Sequence, residues 1–206
     1  MPSKSSTSRV PRADGARTRR EILRVAADLA SVEGLDGLTI GKLAARMEMS
    51  KSGVFAHFGS KEELQLAAID AAEERFVEEI VRPALDRPAG IERVLAVVDG
   101  YATYSDRHAF SGGCFFATAG PAFAARPGAI RDRLARADRD WLQFIRVFLD
   151  EAQDRGEVRG DIDTGHLAFE IASLLVTADW RADLHAEEEV RELARRAIAD
   201  RLTESH

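Results

Sequence analysis

The chain offers little sulfur chemistry. Cys114 is its one cysteine in 206 residues, which excludes an internal disulfide framework and any multi-cysteine metal site. No run approaches the roughly 20 consecutive apolar residues that a membrane span requires, so no membrane partner is expected. The opening MPSKSSTSRVPRADGARTRR is basic but lacks the apolar core of a secretory signal. These absences point to a reducing, cytoplasmic setting. Period-two alternation is missing too, which leaves helices as the regular structure. Enzyme signatures are equally scarce. The sequence holds no Gly-rich nucleophile turn, no paired carboxylates in a recognisable frame and no metal-ligand spacing. No metal, cofactor or catalytic residue is therefore assigned, and an enzyme using Cys114 with a histidine is a remote alternative.

What is present is unevenly charged. Residues 1–61 carry 11 Lys/Arg against 6 Asp/Glu, whereas residues 62–206 carry 18 against 29. A basic first third on an acidic chain is either a surface for a polyanion or a solvated basic arm. Residues 1–16, rich in Ser, Pro and Arg, read as a disordered basic arm.

From Arg17 the apolar residues fall at helical spacing. Ile22, Val25, Ala26 and Leu29 share one face, and Gly34 is a natural stop. Thr39 caps a second helix with the stripe Ile40, Leu43, Ala44 and Met47. Ser50 is the next cap, for a short helix with Val54 and Phe58 inward. Gly59 ends it, and Ser60 with Glu63 makes a capping box for a fourth helix that Pro83 is expected to stop near Arg82. Two short helices braced by a longer first one make a helix-turn-helix, whose third helix is free to enter a major groove.

Downstream, Pro88 opens a segment with Val94, Leu95, Val98 and Tyr101 inward, and residues 111–128 read as a Gly/Pro-rich loop with short helical pieces. A long helix runs from Pro127 to Gly156 with Ile130, Leu134, Ala137, Trp141, Phe144, Phe148 and Ala152 on one side. Residues 164–180 are apolar almost all round, and a last helix spans about 187–202. The expected fold is all-α, with about nine helices. A helix-turn-helix domain occupies residues 17–60, and a larger helical ligand-binding and dimerisation domain occupies 61–206.

The run LTIGKLAARMEMSKSGVFAHFGSKEEL (38–64) resembles the DNA-binding signature of TetR-family transcriptional regulators. The resemblance covers residues 17–64 closely, and GGCFF with the following helices is similar to regulatory domains of that family. It implies that Thr39, Lys51, Phe55, His57 and Lys61 lie against the DNA backbone or groove edge. Thr39 offers a hydroxyl at a helix N-terminus, and Lys61 places a point charge in a first helical turn. Phe55 departs from the family, which usually has Tyr there. With Val54 and Phe58 inward, the outer face of helix 3 is Ser52, Gly53 and Ala56, which offers no bidentate base reader. Lys51 and Ser52 are then the readers, and much of the specificity comes from DNA shape. Lys4, Arg9, Arg12, Arg17, Arg19 and Arg20 of the basic arm are candidates for minor-groove or phosphate contact, the alternative being a disordered arm.

Eight of ten Phe, both Trp and both Tyr lie beyond residue 61. Candidate pocket residues are Tyr101, Tyr104, Cys114, Phe115, Trp141, Phe144, Phe148 and Phe169, with His108 and His166 as further polar groups, for an apolar or aromatic small-molecule effector. Helices 164–180 and 187–202 are expected to form a homodimer, which sets two recognition helices about one DNA turn, ~34 Å, apart. The function expected is a ligand-responsive dimeric repressor released from a palindromic operator, with helix 4 as the lever. The alternative is a DNA-binding module without an effector.

Overall fold

The computed structural model describes residues 11–106, 109–187 and 189–204, without the side chains of residues 11–14, 106 and 204. Lys4, Arg9, the Arg12 side chain and His108 lie outside it. The described residues are all-helical. The nine helices are α1 (Pro11–Gly37), α2 (Ile40–Arg46), α3 (Lys51–Phe58), α4 (61–85), α5 (Ile91–Asp106), α6 (Phe115–Phe123), α7 (Ala129–Asp154), α8 (Thr164–His185) and α9 (Glu189–Glu204).

The first three helices form because caps and stripes agree. Thr39 Oγ1 accepts from Lys42 N at 3.2 Å, Ser50 Oγ from Gly53 N at 3.0 Å and Ser60 Oγ from Glu63 N at 3.0 Å. Ile22 and Ala26 of α1, Leu43 and Ala44 of α2, and Val54 and Phe58 of α3 meet in one buried cluster. Helical geometry in α1 breaks at Gly34, and α1 begins at Pro11, ahead of the expected Arg17. Gly59 ends α3 at φ 73, a left-handed conformation open to glycine at no steric cost. Only half of the expected capping box forms, because Ser60 N–H donates to Phe58 O at 2.9 Å instead of waiting for Glu63.

Pro83 does not stop α4 near Arg82. Lys61–Phe76 leads through a widened π turn, Val77–Val81, into Arg82–Leu85, with Arg82 N–H reaching Val77 O. A proline ring collides with the carbonyl four residues back in a regular helix. The wide turn moves that carbonyl aside, and Pro83 enters as if at a helix start. Two further expectations change. Leu95 faces outward on α5 while Val94, Val97, Val98 and Tyr101 are buried, the i, i+3, i+4 spacing of one face. Within 111–128, expected as a loop with short helical pieces, residues 115–123 form one nine-residue helix with Pro121 inside it.

The beginning of α4 is bolted to the turn between α1 and α2. Buried Gln65 donates from Nε2 to Leu35 O, and Lys61 Nζ donates to Asp36 O at 2.8 Å. Its body packs on α7, where Arg133 Nε bonds Asp70 at 2.7 Å and the same guanidinium pairs with Glu73. α8 packs against α7, α5 and α9. Phe169, Trp180 and Leu184, at helical spacing on one side of α8, are exposed, as are Leu174, Val176 and, on α9, Leu193.

Candidate nucleic-acid interface and ligand cavity

The helix-turn-helix leaves Lys51, Ser52, Phe55 and Ala56 exposed on α3, with Gly53 and His57 half-buried. Phe55 is 52% exposed, a large apolar ring left uncovered by the described residues. Thr39 spends its oxygen lone pair on the cap, so its O–H remains a donor for an incoming anion. Ser52 Oγ lies 3.2 Å from the capping Ser50 Oγ. Lys61 Nζ is committed to the Asp36 carbonyl, a bond that a phosphate has to displace or share. The outer face carries no Arg, Asn or Gln, in keeping with the sequence projection. The Arg19 guanidinium, by contrast, lies over the Phe58 ring at 5.0 Å, which fastens α1 to α3.

A cavity of about 560 Å³ opens among α4, α5, α6 and α7, with Val176 of α8 also on its wall. Its walls include Phe76, Tyr101, Phe116, Trp141 and Phe144. Phe76 stands edge-on to Trp141 at 4.9 Å and 88°, and to Phe116 at 6.1 Å and 85°. Tyr101 and Trp141 lie nearly parallel at 6.0 Å. Of the residues expected at a pocket, Tyr101, Cys114, Trp141 and Phe144 line this space. Tyr104, Phe115 and Phe148 are buried in the core and not on its wall. Phe169 is 61% exposed on the outer face of α8 and does not belong to the cavity. A helix apolar all round has no periodicity to tell its inner from its outer aromatics. His166 sits exposed at the start of α8, 3.5 Å from Glu170 and also away from the cavity.

Phe76, Phe116, Asp138 and Asp140 line the cavity and were missed in the sequence. Phe76 was within reach, because it continues the stripe Leu64, Ala68, Ala72 at four-residue steps. The acidic pair carried no signal in a chain this rich in Asp and Glu.

Cys114 precedes α6 and is buried. Burial pushes its thiol above the ordinary range, and the N–H groups of Ala117 and Phe116 only partly offset that. Burial likewise raises the Tyr101 and Tyr104 hydroxyls, neither of which finds a hydrogen-bond partner. The thiol is therefore a poor nucleophile. Iodoacetamide at pH 7 is expected to label folded Cys114 at least about tenfold more slowly than the urea-unfolded chain. Equal rates in a mass-spectrometric time course refute this.

One wall of the cavity, α6, packs on the DNA-binding helix α1. Ser111 N and Oγ both donate to Asp28 Oδ1 at 2.8 Å, and Gly112 N donates to Ser31 Oγ at 3.1 Å. These bonds press residues 111–112 onto α1. Immediately after them α6 packs on the same helix, and Arg126 beyond it pairs with Asp36. On the far side, Arg191 of α9 bridges Asp183 at 2.5 Å and buried Asp179 at 3.2 Å on α8. Burial raises the Asp179 carboxyl, against the pull of Arg191.

A basic-ended helix-turn-helix joined rigidly to a helical domain with an aromatic cavity defines a DNA-binding transcriptional regulator. Residues 22–68 match the family described as bacterial regulatory proteins, tetR family, and residues 90–198 match the tetracyclin repressor-like C-terminal domain; the chain belongs to the TetR family. A TetR transcriptional regulator from Chloroflexus aurantiacus superposes with a TM-score of 0.86 at 27% identity, over 93% of this chain and 96% of that one. The HTH-type transcriptional regulator TcmR of Streptomyces glaucescens is 37% identical over 73 residues, 35% of this chain and 32% of TcmR, so the chain spans about a third of that relative. AibR, solved in complex with isovaleryl coenzyme A and operator DNA, superposes with a TM-score of 0.62 at 22% identity, over 77% of this chain and 83% of that one. No helix among the described residues is long and apolar enough to cross a membrane.

Proposed function

We propose that the chain is a ligand-responsive repressor of the cytoplasm that binds a palindromic operator as a homodimer and leaves it when a small molecule fills the cavity. Residues 17–60 form the DNA-binding domain, and residues 61–206 form the sensing and dimerisation domain. The single observation that carries this reading is the docking of Ser111, Gly112 and α6 on α1, since α6 is also a cavity wall. A ligand that fits the cavity better when α6 has moved draws α1 with it, and that differential affinity is what shifts the equilibrium. α4 supplies a second route, because Phe76 and Val77 line the cavity while Lys61 and Gln65 hold the α1–α2 turn. AibR, solved with a ligand and operator DNA, lends support at the level of the fold. The cavity weighs against a module without effector, and the suppressed thiol against an enzyme using Cys114.

On DNA, Thr39, Phe55, His57 and Lys61 meet backbone or groove edge, while Lys51 and Ser52 reach bases and Gly53 and Ala56 permit close approach of α3. The test is fluorescence anisotropy on a palindrome selected from random duplexes. Lys51→Ala is expected to weaken binding about tenfold and to relax the base preference at the position it contacts, read from single-base operator substitutions. No selected palindrome, or an unchanged affinity and base preference, overturns the interface.

A further inference from the structure

The cavity has a charge pattern that its aromatic character alone does not require. Among its lining residues the charged groups are Glu73, Arg131, Asp138 and Asp140. Glu73 is paired with Arg133, and Arg131 with its neighbour Asp132. Asp138 and Asp140 are exposed at the mouth, and neither has a hydrogen-bond or ion-pair partner among the described residues. Both belong to α7, whose Ala137, Trp141 and Phe144 form the wall between them. Behind the mouth lie the faces of Tyr101 and Trp141 and the edge-on ring of Phe76. Tyr101 is 2% exposed, and its hydroxyl is left without a partner inside the wall.

We propose that the ligand of this cavity is a planar aromatic cation. Its rings stack among Phe76, Tyr101, Phe116 and Trp141, and its positive group faces Asp138 and Asp140. This deepens the ligand-responsive reading above and rests on its assignment of the cavity. Aromatic faces attract cations through their quadrupole, and the two free carboxylates add the same preference at the mouth. A volume of about 560 Å³ is of the size that encloses a drug-sized ligand. The same features disfavour anions. A polyphosphate ligand needs cations to replace its hydration, yet Arg131, the lining cation among the described residues, is already held by Asp132.

An isosteric acridine series tests the claim on the full-length protein without DNA. At pH 7, 9-aminoacridine is a cation, acridine is neutral and acridine-9-carboxylate is an anion on the same three rings. Titration by ligand fluorescence is expected to rank them cation, neutral, anion. Cation and anion should be separated by at least about tenfold, 1.4 kcal/mol. In Asp138→Asn/Asp140→Asn, an exposed pair whose replacement leaves the core intact, that separation is expected to fall to about threefold or less. Equal binding of the three acridines, binding of none, or an unchanged ranking in the double variant overturns the proposal. The repressor reading fails separately. If 9-aminoacridine binds as ranked but never shifts anisotropy of the operator complex, the ligand class stands and the coupling to DNA does not. The acridine-titrated complex needs a DNA-only control, since acridines intercalate.

Discussion

Replacing Trp180 and Leu184 by glutamate is expected to give a folded monomer that loses operator affinity by about a hundredfold or more. In the single chain these side chains are 54% and 61% exposed, so charging them disturbs no internal packing. With Phe169 they recur at helical spacing on one side of α8, an exposed apolar stripe. Each such side chain contributes about 1.5–3 kcal/mol when buried. In the proposed homodimer the acidic replacements remove that gain and add repulsion across its two-fold axis, where the same patch meets itself. Operator affinity falls because the second recognition helix no longer acts at the high effective concentration that linkage provides, typically worth about 10²–10⁴. Light scattering and circular dichroism check mass and helicity, and anisotropy checks DNA binding. A dimer with unaltered affinity sinks both the interface and its role.

Gly112→Ala is the second large effect. A Cβ at this position falls 2.3 Å from the Ser31 carbonyl oxygen and 2.6 Å from Val32 N. These are backbone atoms of α1, which no rotamer change can move aside. The loop must lift, which breaks the bonds from Ser111 to Asp28 and from Gly112 to Ser31. Overpacking of this kind costs about 1–3 kcal/mol. The expected result is a lower Tm with operator affinity reduced at least about tenfold. Gly160→Ala, where an added Cβ meets nothing within 4 Å, serves as the neutral control. A Gly112→Ala protein that binds operator as tightly as the parent refutes the idea that this loop holds α1 in its binding posture.

The DNA-binding end was largely legible because its signals are local. Thr39, Ser50 and Ser60 each cap the helix that follows them, and Gly59 takes the left-handed turn its type invites. Val54 and Phe58 point inward as their spacing requires. What failed to show was anything fixed by a distant partner. The contact of Gly112 with Ser31 joins residues 81 positions apart, and neither carries a motif. Cavity and core use the same aromatic residues, so Phe115 and Phe116 look alike in sequence although only Phe116 lines the cavity. Phe169 was drawn to the wrong side for a related reason, since apolarity marks burial and not its direction. Pro83 misled because its rule assumes a regular helix around it.

The wide turn of α4 has a hereditary consequence. Val77–Val81 contains the slack that lets Pro83 sit inside a continuous helix, and Pro83 in turn occupies the only kind of place such slack prepares. Upstream of it, Leu64, Ala68, Ile69 and Ala72 are buried; downstream, so are Ile80, Val81 and Ala84. Losing one residue from the turn alone returns the proline ring to a carbonyl, and losing the proline alone leaves an irregularity with nothing to accommodate. The two features are thus a linked pair. Descendants of this chain can vary the surface of that connecting rod freely, but its length and its proline have to change together.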